Sequence, residues 1–110
     1  MNPVFDHVGL VCSDLSQSLD FYIAVLGGTA ESQAGHTVIT AGEVRIALVS
    51  CSPGDSMQHA RGEHLAIRFS SEARSIILGR LATLKVAYEE VHGRVYVRDP
   101  DGFVVEFLFE

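Results

Sequence analysis

The chain has 110 residues, of which 47% are hydrophobic and 20% charged, with a formal net charge of −6. That length suits one domain-sized core, and the apolar fraction excludes a disordered polar chain. The eight Lys and Arg residues are scattered, which argues against nucleic acid, whose phosphates need grouped cations, and no apolar run approaches the roughly 20 residues that span a bilayer.

The opening residues MNPVFDH have neither the basic nor the apolar region of a signal peptide, so a cytoplasmic location is expected. Val4-Phe5-Asp6-His7-Val8-Gly9-Leu10-Val11-Cys12 is rich in β-branched and apolar residues and predicts a strand. Ser13-Asp14 supplies an N-cap, Leu15, Leu19, Tyr22, Ile23 and Leu26 follow at helical spacing, and Gly27-Gly28 is the stop. Three weaker strands come next, at Thr29 to Gln33, His36 to Thr40 and Glu43 to Val49. The run SPGDSMQHARG has turn residues and no periodicity, which predicts a linker.

After the linker the pattern restarts. Glu63 to Phe69 is a strand, Ser70-Ser71 caps a helix carrying Ala73, Ile76, Ile77, Leu81 and Leu84, and Val86 to Val91 is a strand. A His92-Gly93 turn leads into Arg94 to Arg98, and Asp99-Pro100-Asp101-Gly102 turns the chain into Phe103 to Phe109. Laying His7 on His64 brings Gly9 onto Ala66, Ser13 onto Ser70 and Leu19 onto Ile76, a match of size and polarity that predicts equivalent strands opened by the two histidines. The reading is an α+β fold of two βαβββ modules, 1–52 and 62–110, joined by a linker at 53–61.

Side chains alternate across a strand, so parity sorts each strand into two faces. Phe103, Val105, Phe107 and Phe109 share one face of the last strand; Val104, Glu106 and Leu108 share the other. The bulky faces pack helices, which leaves His7, His64 and Glu106 on the opposite faces. Taken singly, each has an ordinary reading as a surface or structural residue. Taken together, two imidazoles and a carboxylate make a set suited to a divalent ion, with positions left for substrate.

The segments FDHVGLVCSDLSQSLDFYIAVLGG, GEHLAIRF and YVRDPDGFVVEFLFE resemble the vicinal oxygen chelate superfamily of glyoxalases, fosfomycin-resistance proteins and extradiol dioxygenases. The resemblance covers nearly the whole chain and implies a glyoxalase-like fold, a single domain with a curved mixed sheet. It implies metal ligands at His7, His64 and Glu106, the last on the strand after the DPDG turn, and an ion that chelates two adjacent substrate oxygens. Lyase, isomerase or dioxygenase chemistry on a small molecule follows, as does homodimerisation. The ligand set accepts Mn, Fe, Ni, Co or Zn.

Departures narrow the subfamily. Glyoxalase I adds an acidic ligand where this chain places Ala47. Fosfomycin thiol transferases are similar at Tyr96, ten residues before Glu106, but place Thr where this chain has Gly9 and a longer loop where it has the turn at His92-Gly93. Both subfamilies are therefore disfavoured. The competing reading is a metal-free drug-binding protein resembling bleomycin-resistance proteins; the His, His, Glu set and the absence of Trp count against it.

Arg45 and Arg68 fall on the same face as the three ligands and are candidates to hold an anionic substrate group; the alternative pairs them with Glu43 or Glu63. Tyr96 is a candidate hydrogen-bond donor to substrate, or a core residue with its hydroxyl at the edge. His36, His59 and His92 read as solvated, with His59 the one a linker could carry over the ion as a general base. Cys12 and Cys51 lack metal-type spacing and read as free thiols; the alternative, a catalytic thiol, needs a cationic or helix N-terminal neighbour that the sequence does not show.

Overall fold

Asp14 sets the start of the first helix: its carboxylate accepts from the Gln17 backbone N–H at 3.0 Å, satisfying one of the donors that a helix N-terminus leaves orphaned. The computed structural model describes residues 1–33, 36–51 and 63–110. Helix α1 spans Leu15–Leu26 and ends at Gly27, whose φ of 73° is a left-handed conformation that glycine adopts without strain. Gly28 is required for a different reason, because a Cβ there would stand 2.4 Å from the Thr40 carbonyl oxygen. The Gly27-Gly28 stop thus combines a conformational and a steric need.

The chain divides into two compact units, Met1–Met57 and Gln58–Glu110. In the first, strands β1 (Val8–Cys12), β2 (Thr29–Gln33), β3 (His36–Ala41) and β4 (Val44–Ser50) form one sheet in the order β1-β4-β3-β2. The first and last strands pair in parallel and the others antiparallel. Helix α1 packs on β2, β3 and β4. Alternation decides what is buried: Leu10, Cys12, Ile39, Ile46 and Leu48 lie on the core face with Tyr22 and Val25 of the helix.

The second unit repeats this order. Strands β5 (His64–Phe69), β6 (Tyr88–Val91), β7 (Arg94–Arg98) and β8 (Val104–Phe109) form a sheet in the order β5-β8-β7-β6, with β5 parallel to β8. Helix α2 spans Arg74–Leu84 after a short 3₁₀ turn at Ser71–Ala73. Ile67, Val95, Val97, Val105 and Phe107 are buried on one sheet face, together with Ile77 and Leu81 of α2. The α+β reading with two βαβββ modules matches the element order throughout.

Several local expectations differ. Strand β1 begins at Val8, and Val4 and Phe5 are exposed, because a strand needs a partner ladder and the pairing with β4 starts at Val8 opposite Ile46. His7 therefore immediately precedes its strand, whereas His64 opens β5. The Ser70 side chain makes no cap bond, since the 3₁₀ turn comes before the helix proper. Ile76 and Leu84 are exposed, so α2 has a narrower apolar stripe than its sequence suggested. Strand β6 starts at Tyr88, two residues late, because the Val86 N–H is used by the Leu81 carbonyl at the helix end. The expected linker at 53–61 lies outside the described residues.

Candidate functional site

The turn that delivers Glu106 is held by its own side chains. Asp99 is buried, and its Oδ1 accepts from the backbone N–H groups of Asp101 and Phe103, both at 2.9 Å. The backbone closes the turn through Asp99 N–H to Phe103 O at 2.8 Å and Gly102 N–H to Asp99 O at 2.9 Å. Gly102 has φ of 89°, a left-handed conformation that explains glycine there. Strand β8 leaves this turn with its register fixed between β5 and β7.

That register assembles the site. Ala66 lies opposite Glu106 on β5, and Tyr96 lies opposite it on β7. His64, two residues before Ala66 and on the same face, reaches across so that its Nε2 stands 3.2 Å from Glu106 Oε1. The second carboxylate oxygen stands 3.4 Å from a guanidinium nitrogen of Arg94. Glu106 is only 4% exposed, so the Arg94 cation and the His64 ring, rather than bulk water, face its two oxygens.

The first unit carries an equivalent frame with different residues. Gly9 lies opposite Ala47 as Ala66 lies opposite Glu106, so the fold places Ala47 at the position where the second unit has its acid. His7 Nδ1 is 2.6 Å from Asp6 Oδ2, and Arg45 donates to the other Asp6 oxygen at 3.1 Å. The His7 contact, then the Arg45 charge, holds the Asp6 carboxyl below the usual range. With Nδ1 turned to a carboxylate, the tautomer that leaves Nε2 as a lone-pair donor is favoured, the arrangement common for a metal-ligating histidine.

His64 and Glu106 come together within the second unit, and His7 belongs to the first. Within either unit, among the described residues, no three His, Cys, Asp or Glu side chains gather as a complete cation cage. The pair that does form suits an ion: two donors each roughly 2.1 Å from one cation stand about 3 Å apart at right angles. Nitrogen and carboxylate oxygen are also the donor types that borderline divalent metals take.

The other candidates are dispersed. Arg68 is exposed on the same face as Glu106, with Nε 3.7 Å from Glu110 Oε2; neither it nor Arg45 takes the glutamates first considered for them. Tyr96 is half-buried and lines a cavity of about 650 Å³ with Tyr88, Glu89, Val91, Arg98 and Val104. His92 is exposed in the β6–β7 turn with φ of 52°, and His36 opens β3 half-buried. His59 lies outside the described residues. Cys12 and Cys51 are not in a disulfide, and Cys12 is buried with its sulfur 3.6 Å from the Val49 carbonyl. Arg94 was not anticipated, although parity alone puts it on the face of Tyr96 and Arg98.

Comparison with known proteins bears on the fold as a whole. Fosfomycin resistance protein FosX from Mesorhizobium loti superposes with a TM-score of 0.81 at 15% identity, covering 100% of this chain and 94% of that one. FosX from Listeria monocytogenes, in an E126Q form complexed with Mn(II) and 1S,2S-dihydroxypropylphosphonic acid, gives 0.79 at 21% identity, covering 98% of this chain and 90% of that one. Oxidase ChaP-H2 gives 0.81 at 19% identity, covering 100% and 95%. A search of curated protein sequences returned no significant match. No helix among the described residues is long and apolar enough to cross a membrane. At these identities the solved structures establish a shared fold, and residues 4–107 match the family model directly: the chain belongs to the Glyoxalase/Bleomycin resistance protein/Dioxygenase superfamily.

Proposed function

We propose that this chain is a divalent-metal-dependent enzyme acting on a small molecule with two adjacent oxygens, with His7, His64 and Glu106 as the metal ligands. The observation that carries the reading is the pair in the second unit, a buried carboxylate whose oxygen lies 3.2 Å from the Nε2 of an exposed imidazole on the same sheet face. A bound divalent ion would act there as a Lewis acid, polarising the substrate oxygens it chelates and stabilising negative charge as it develops. The identity of the ion follows availability as much as geometry, and Mn, Fe, Ni, Co and Zn all suit the donor set. The Mn(II) and the vicinal diol bound by Listeria FosX are consistent with this chemistry.

The protein's own residues divide the remaining work. Glu106 supplies the negative charge that a divalent ion requires, and its burial keeps water from competing for it. Asp6 orients the His7 ring through Nδ1. Tyr96, directly across from Glu106 on β7, would donate a hydrogen bond to a substrate oxygen. Arg45 and Arg68 are placed on the same faces as their units' ligands to receive an anionic group at the rim. Because His7 belongs to a different unit from the other two ligands, a three-ligand site requires both units, from one chain or from two chains of a homodimer.

Metal analysis of protein purified without chelator tests this reading. The wild-type chain is expected to retain roughly one equivalent of divalent metal and His64→Ala to lose it. A wild-type protein that holds no ion after incubation with each of the five metals would instead favour a metal-free ligand-binding protein of the bleomycin-resistance kind.

A further inference from the structure

The second oxygen of Glu106 faces Arg94, and the placement of that arginine is unusual for a residue beside a cation site. Val95 pairs with Phe107 and Tyr96 with Glu106, so Arg94 sits one pair further along β7 on the same face. Its guanidinium reaches diagonally to 3.4 Å from Glu106 Oε2, a span that long side chains cover on a sheet. The two partners differ in exposure: the Glu106 side chain is 5% exposed and that of Arg94 52%. The carboxylate is buried in the sheet, while the guanidinium lies at its open side.

A cation bound at Glu106 and the Arg94 charge repel each other at this range, and both draw on the same carboxylate. We propose that Arg94 is an internal counter-ion of Glu106 that gives way when a divalent ion binds, and that its released guanidinium then holds an ionised oxygen of the substrate. This rests on the metal reading above and narrows the substrate class to small anions carrying two adjacent oxygens. A guanidinium suits that role because its fork of donors matches a carboxylate or phosphonate edge. Arg94 acts on the ion by charge repulsion and by competing for Glu106, and it touches the substrate only once the ion is seated.

The proposal predicts effects of opposite sign from one substitution. In Arg94→Gln, calorimetric titration with Mn(II) should show three- to tenfold tighter binding than wild type, since a nearby positive charge is gone. Titration of the Mn(II)-loaded protein with oxalate, a dianion with adjacent oxygens, should show binding weaker by tenfold or more. Arg94→Lys keeps the charge but not the fork, so its Mn(II) affinity should stay within about twofold of wild type while oxalate binding falls. Arg94→Met, which keeps the alkyl stem, replaces the Gln variant if circular dichroism shows the latter unfolded. Unchanged or weaker Mn(II) binding in the charge-removing variant, or oxalate affinity equal to wild type, would overturn the assignment. If the wild-type chain itself fails to bind Mn(II), it is the metal reading that falls, and this one with it.

Discussion

The two units share one scaffold and differ at its centre. In both, the first strand runs parallel to the last, and the residue two places after the histidine lies opposite one position of that last strand. In the second unit that position is Glu106, held between His64 and Arg94. In the first it is Ala47, 4% exposed and without any polar group, and the histidine is tied to its neighbour Asp6 instead. Topology and register repeat, while the acid at this strand position stands in one unit only.

Transplanting the acid should break the first unit. Ala47→Glu buries a carboxylate on β4 where His7 and Arg45 are already engaged with Asp6, and a stability loss of about 3–5 kcal/mol is expected. Chemical denaturation of the variant measures this. A loss below about 1 kcal/mol would mean that His7 or Arg45 can serve as His64 and Arg94 do, and that the asymmetry is shallower than described.

The helices sharpen the same contrast on a smaller scale. Asp14 caps α1 through Gln17 N–H, whereas Ser70 makes no side-chain cap bond. Asp14→Ala should therefore cost about 1 kcal/mol and Ser70→Ala no more than a few tenths, compared by denaturant midpoint at constant slope. At the other end α1 closes on Gly27 but α2 closes on Lys85 at φ of 58°. Lys85→Gly relieves a left-handed residue and should raise stability by about 0.5–1 kcal/mol. A fall on that substitution would show that the Lys85 side chain contributes more than its backbone costs.

What the sequence made legible follows from these local causes. The Asp14 and Gly27-Gly28 signals bracket α1 at its observed ends because caps act through neighbours along the chain. Parity placed Glu106 correctly on the face opposite Val105 and Phe107, because alternation is a property of any extended strand. Arg94 escaped notice because its contact with Glu106 depends on the β7–β8 register, which no local pattern records. Val4 and Phe5 were read into a strand on propensity alone, and propensity does not provide a partner. Ile76 likewise fits the helical spacing of an apolar stripe yet is exposed, because spacing does not provide a packing partner.

In the proposed metal site, His7, His64 and Glu106 bind one ion. Titration of the wild-type chain and of His7→Ala, His64→Ala and Glu106→Gln with Mn(II) tests it most directly, with folding checked by circular dichroism. The account predicts roughly one site per chain in the wild type and a loss of affinity on the order of 100-fold or more in each of the three variants alike. Full-affinity binding retained by His7→Ala while the other two lose it would contradict the account, confining the ion to the second unit.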